Sequence, residues 1–202
     1  MHTLSLKEFT EKTFSKEPVP GGGGVSGLVG SLAASLSGMV TSLTIGKKKY
    51  AEYEDELTII SKKADDLRIK LLNSINKDAE MFSPLASAYA IEKGTPGREE
   101  KLDECLKLAA SSPFEILNLI KEVIDLDERL AVIGSKLAIS DAATSAMLAY
   151  GALYGAYVNV IVNTKLMTDR EYASELEEKA QNILNEYSKK AYNTYNEVLK
   201  RL

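Results

Sequence analysis

Residues Tyr53–Phe82 read YEDELTIISKKADDLRIKLLNSINKDAEMF. Leu57, Ile60, Ala64, Leu67, Leu71, Ile75 and Phe82 fall three and four residues apart over most of this stretch, the spacing that lines up one face of an α-helix. Charged and polar residues fill most of the rest, so the segment is an amphipathic helix that needs other helices to cover it. The stripe has one exception. Steps of four, three and four link Leu71, Ile75, Asp78 and Phe82, so an acid occupies a position the pattern reserves for an apolar group. A carboxylate drawn out of water is costly unless it is paired, and desolvation moves its pKa towards neutrality. Asp78 is therefore either a buried cap or lysine partner, or a carboxyl able to exchange protons near pH 7.

The segments on either side of this helix are also helical. Ser5 and Glu8 form a capping box that starts a short helix at Leu6. Pro18, Pro20 and Gly21 to Gly24 make a loop. A second helix runs from about Val25 to Ile45, closed by Gly46 and Lys47 to Lys49. Ser83-Pro84 marks a kink or a new cap beyond Phe82, and Glu92 to Gly97 is a loop. A fourth helix spans about Arg98 to Ala110. Ser112-Pro113-Phe114-Glu115 opens a fifth that ends before Gly134. Ser140 and Asp141 cap a sixth, about Ala142 to Asn163. Thr168 and Glu171 cap a seventh that reaches the C-terminus. No alternating strand pattern competes. The expected fold is all-α, one domain over residues 1–202, a bundle of about seven helices. The second and sixth are central in it because small residues (Ala34 and Gly38, Gly151 and Gly155) let backbones approach closely.

Composition narrows the chemistry. The 202 residues include one His, one Cys and no Trp. A Ser-His-Asp or Cys-His site would depend on His2 at the N-terminus, and a His/Cys zinc site cannot be assembled within one chain. Proton chemistry falls to Asp, Glu, Lys or Tyr. The single Cys105 and the absence of an apolar N-terminal run suit a reducing, cytoplasmic setting. A net charge of −4 is unlike the basic stripe of a nucleic-acid binder. Pro18–Gly46 and Ala142–Thr164 lack charge and are long enough to cross a bilayer. Their Gly, Ser and Asn content reads instead as helices buried in a soluble bundle.

Other residues carry weaker signals. The Pro18–Gly24 loop meets a helix N-terminus and is either a tight packed turn or a place where backbone N–H groups approach a ligand. Asp141 reads as an N-cap acid. Asn159 and Asn163, one turn apart, bind a polar ligand or satisfy buried backbone. Lys47 to Lys49 form a solvated helix end or hold an anionic tail. Tyr150, Tyr154 and Tyr157 share a face and read as core.

Taken together, several segments resemble the cyclodeaminase/cyclohydrolase family. They are Pro18-Val19-Pro20-Gly21-Gly22-Gly23, Leu43 to Tyr50, Asp78-Ala79-Glu80-Met81-Phe82 with Ala88-Tyr89, Ile139-Ser140-Asp141-Ala142, and Val158 to Asn163. This family includes the C-terminal domain of formiminotransferase-cyclodeaminase and free-standing methenyltetrahydrofolate cyclohydrolases. The resemblance covers essentially the whole chain, in order. It implies an all-helical homodimer that acts on folate one-carbon units without metal or redox cofactor, on substrate that can be polyglutamylated. It implies Asp78 as catalytic proton carrier, with Pro20, Gly21, Gly22, Gly23, Lys48, Asp141, Asn159 and Asn163 as substrate-binding positions. The reaction it implies is hydrolysis of 5,10-methenyltetrahydrofolate to 10-formyltetrahydrofolate. The alternatives are the cyclodeaminase, which converts 5-formiminotetrahydrofolate to the methenyl form with loss of ammonia, and a non-catalytic helical interaction module.

Overall fold

The computed structural model describes residues 1–202 and contains only helices and turns. In chain order these are α1 (Leu6–Phe14), α2 (Gly22–Ser42), a 3₁₀ turn (Lys48–Tyr53), α3 (Glu54–Tyr89), α4 (Arg98–Ile133), α5 (Ile139–Thr164) and α6 (Arg170–Leu199). The capping box at the start of α1 is made as the sequence predicts: Ser5 Oγ accepts from the Glu8 N–H, and the Glu8 carboxylate accepts from the Ser5 N–H. Gly46, at φ +77°, turns the chain after α2, and Gly134 closes α4.

The α3 stripe is the inner face of the bundle. Leu57, Ile60, Ala64, Leu67, Leu71 and Ile75 are buried. They pack on α2 and α4, while α4 lies at the back and also touches α5 and α6. One apolar cluster draws on every helix from α2 to α6. Helices α2 and α5 lie side by side, and a Cβ on Gly155 would collide with Ser26 Oγ. But Gly38 and Gly151 face open space, and both helices lie at the front with an exposed face rather than at the centre of the bundle.

Six α-helices stand where seven are expected, because Pro113 does not separate the expected fourth and fifth; Pro84, expected as a kink or a new cap, likewise does not end its helix. Pro113 lies inside α4 and Pro84 inside α3. Each removes one i→i−4 hydrogen bond, a penalty of about 3 kcal/mol in an unsupported helix. The α4 break is spanned by burial on both sides of it: Leu106, Ala109, Ala110, Ile116, Leu117 and Ile120 are all in the core. Two predicted caps also differ. The cap of α5 is Ala138, with Ile139, Ser140 and Asp141 forming the first turn. The cap of α6 is Asp169, whose carboxylate accepts from the Tyr172 N–H. Thr168 is used elsewhere: its N–H and hydroxyl donate to Asp103, which ties the α5–α6 turn to α4.

Candidate active site

The glycines expected to form a loop are helical. Gly22, Gly23 and Gly24 are the first turn of α2, with Gly21 as its cap. Their N–H groups precede the first i→i−4 acceptor, so the positive end of α2 opens here. α3 crosses that end closely. A Cβ on Gly23 would lie 2.6 Å from the Asp78 carboxyl carbon, and one on Gly22 would lie 2.7 Å from Asn159 Nδ2. A side chain at either place would have to displace Asp78 or Asn159 from its position.

A pocket of about 130 Å³ lies at this crossing. Gly21, Gly22 and Gly23 form one wall, Asp78 and Phe82 of α3 a second, Ala109 and Pro113 of α4 a third, and Asn159, Val162 and Asn163 of α5 a fourth. Each amide donates to a backbone carbonyl one turn back, Asn159 to Gly155 and Asn163 to Asn159, both at 2.8 Å. That fixes the side chains and leaves the amide oxygens for a ligand.

Asp78 is the only charged residue lining the pocket. Its carboxyl is largely withdrawn from water, and this desolvation pushes its pKa above the usual aspartate value. The Ser112 hydroxyl and the Gly24 N–H oppose the rise without cancelling it. Ser112 Oγ nevertheless makes no hydrogen bond of ordinary geometry to any group. The net shift is upward, towards neutrality.

Six of the nine expected site residues therefore meet in one pocket: Gly21, Gly22, Gly23, Asp78, Asn159 and Asn163. Pro20 is buried beneath the first turn of α2, against Gly24, and does not line the pocket. Lys48 and Asp141 are not brought there by this chain. Lys48 follows the far end of α2, and Asp141 lies about 27 Å along α5 from Asn159 at the helical rise. Their end of the bundle is held by Lys47 donating to Ser135, and by the Lys136 N–H donating to Tyr50 Oη. The expected aromatic core is also only partial: Tyr154 is 40% exposed and stacks on Tyr150, while Tyr157 donates to Gln181. A larger groove, about 420 Å³ between α2 and α3, has Lys62, Asp65 and Arg68 at its rim. These face solvent, and Asp65 pairs with Arg68.

Sequence reasoning missed two site features, Ser112 and Pro113, because the Ser-Pro-x-Glu pattern read as a helix start. It also missed Asp127, which lies outside the pocket and is fully buried.

An all-helical bundle with one desolvated carboxyl, a glycine-lined helix N-terminus and two fixed amides around a small pocket is equipped for acid–base chemistry on a polar ligand. A model of the formiminotransferase-cyclodeaminase family matches residues 5–182, and the chain belongs to that family. It is 38% identical over 186 residues to the methenyltetrahydrofolate cyclohydrolase of Methylorubrum extorquens, covering 90% of this chain and 89% of that one. It is 25% identical to the rat formimidoyltransferase-cyclodeaminase over 90% of its own length, which is 34% of that longer protein. The crystal structure of formiminotetrahydrofolate cyclodeaminase from Thermotoga maritima superposes with a TM-score of 0.84 at 32% identity, covering 98% of this chain and 95% of that one.

Proposed function

We propose that the protein is a methenyltetrahydrofolate cyclohydrolase in which Asp78 moves the proton. The observation that carries this reading is the lone desolvated carboxyl at the α2 N-terminus, in a chain that matches a named cyclohydrolase over nearly the full length of both. In the reaction, water adds to the bridging carbon between N5 and N10, and Asp78 takes a proton from it. The bond from that carbon to N5 then breaks. Of the two protons of water, one ends on N5 and the other is released. The substrate is a cation, and ionised Asp78 faces it in a pocket with no competing charge. The amide oxygens of Asn159 and Asn163 accept from donors on the pterin ring, and the α2 first turn shapes the wall beside it. No metal or redox cofactor enters any step.

The likeness to the Thermotoga maritima cyclodeaminase favours a second reading, ring closure of 5-formiminotetrahydrofolate with loss of ammonia. The same carboxyl would then protonate the leaving nitrogen. We read the protein as a soluble cytoplasmic homodimer that does not bind nucleic acid. Its exposed lysines near Lys48 suit a polyglutamate tail.

The test is the absorbance of the methenyltetrahydrofolate band with purified protein. Accelerated decay of the band, lowered about 10²- to 10⁴-fold in kcat/KM by Asp78→Asn, is expected. Growth of the band from 5-formiminotetrahydrofolate moves the assignment to the cyclodeaminase. No acceleration with either substrate leaves a helical interaction module. Because Asp78 acts ionised and its pKa is raised, the acid limb of kcat/KM is expected at a pH above the ordinary aspartate range.

A further inference from the structure

Ser112 is 1% exposed, and its hydroxyl has no partner of ordinary geometry. A hydroxyl on a helix normally has an outlet in the carbonyl three or four residues back. The neighbouring Ser111 uses that outlet, donating to the Leu108 carbonyl at 2.6 Å. Ser112 does not. It lies between Ala109 and Pro113, which both line the pocket, and its hydroxyl faces Asp78 across the junction of α3 and α4. Pro113 has no N–H, so the Ala109 carbonyl loses its i+4 donor at the same level. A buried hydroxyl left idle is destabilising, and such groups are rare away from functional sites.

We propose that Ser112 is a positioning residue for the reaction: its hydroxyl donates to the Asp78 carboxylate whenever that group is ionised, and so holds the carboxyl in one orientation towards the pocket. This rests on the reading of Asp78 as the proton carrier. The partner is needed in only one half of the proton cycle, which accounts for a contact that is close without being a settled hydrogen bond. The Gly24 N–H also favours the ionised carboxyl, but it is fixed backbone; Ser112 is the only side-chain donor beside Asp78. α5 presents its two amides and Val162, and α2 backbone N–H groups. The charged neighbours on α3 and α4, Lys77 and Glu115, are paired with each other. Ser112 touches no substrate-facing surface of its own, so it acts through Asp78.

The experiment is a carbon-13 NMR titration of the Asp78 carboxyl in ligand-free protein, assigned by its loss in Asp78→Asn, for wild type, Ser112→Ala and Ser112→Thr. Losing the donor is expected to raise the Asp78 midpoint by about half to one pH unit in Ser112→Ala. Ser112→Thr, which keeps a hydroxyl, is expected to restore it. In parallel, the acid limb of kcat/KM moves up by the same amount in Ser112→Ala, with kcat about tenfold lower and KM within about twofold. An unchanged Asp78 midpoint in folded Ser112→Ala overturns the proposal. The titration needs no turnover. If the wild type acts on neither folate substrate, the cyclohydrolase reading falls while the titration still decides the Ser112–Asp78 contact. If turnover is present and the midpoint does not move, only the positioning role falls.

Discussion

Asp127 is fully buried between α2, α4 and α5, with Ser37 Oγ at 2.7 Å from one carboxyl oxygen and Ser145 Oγ at 2.8 Å from the other. Burial pushes its pKa up to about 8, against the lowering effect of the two hydroxyls. It is therefore a neutral acid at pH 7, and that form completes the network. Protonated Asp127 donates to Ser145, Ser145 donates to the Ala33 carbonyl 2.8 Å away, and Ser37 donates to the remaining carboxyl oxygen. Ionised Asp127 would claim both hydroxyls and strip the Ala33 carbonyl. The sign for stability follows. The folded state binds this proton more tightly than the unfolded chain, so the contribution of Asp127 is most favourable below pH 4 and falls as pH rises to about 8. Asp127→Asn lacks that decline. Chemical denaturation is expected to show the variant gaining on wild type as pH rises from 4 to 8, by at most about 5 kcal/mol. A difference independent of pH would show that Asp127 is ionised in the fold. Asp78 was legible in the sequence because it interrupts a clean stripe. Asp127 interrupts the α4 stripe of Ile120, Val123, Ile124, Leu130 and Ala131 in the same way. It was hidden because it sits in the run Asp125, Asp127, Glu128 and Arg129, where one buried acid reads as part of the charged outer face of α4.

At the scale of an element, α2 is built to be approached. A Cβ on Gly27 would lie 2.5 Å from Ser74 Oγ and 3.1 Å from the Leu71 carbonyl, and one on Gly30 would press on Ile120 and Leu71. The Leu71 contact is to backbone, so α3 cannot yield by a rotamer change alone. Gly27→Ala is expected to destabilise by about 2 kcal/mol, seen as a lower denaturation midpoint with unchanged slope. Gly38→Ala, with open space at its Cβ, is expected to gain up to about 1 kcal/mol from helix propensity. If both behave alike, the small residues of α2 serve something other than close packing. Helix start and stop signals were legible where local chemistry decides them, as at Ser5, Gly46 and Gly134. They failed at Pro113 and the α2 glycines. There tertiary burial outweighs a local preference of a few kcal/mol, and no single-sequence pattern carries that term.

On the whole molecule, the unexplained surface is the front. α2 and α5 lie beside each other with α3 and α6 at their flanks and α4 behind, and no element covers them. Leu32 and Met39 on α2, Leu43 just beyond its C-terminus, and Tyr154, Val158 and Val162 on α5 are each at least 40% exposed. Neither helix carries a charged side chain on this face; the only charge on either is Asp141 in the first turn of α5. Both helices are long and apolar enough to cross a membrane, but 56% and 39% of their apolar windows are already buried within the chain. A bilayer would have to displace α3, α4 and α6 to take in the rest. A second copy needs only to match the exposed half, so this apolar face is where the proposed homodimer is expected to form. Val162 is shared between this face and the pocket, so association would close the pocket's outer edge. The purified protein is expected to sediment at twice its 22.1 kDa chain mass. Val158→Asp, which sets a charge on the face without touching the pocket, is expected to sediment as the single chain and to raise KM more than it lowers kcat. A wild-type monomer at micromolar concentration, or a dimer indifferent to Val158→Asp, would place the interface elsewhere. Partition into detergent or vesicles instead would show that lipid covers this face.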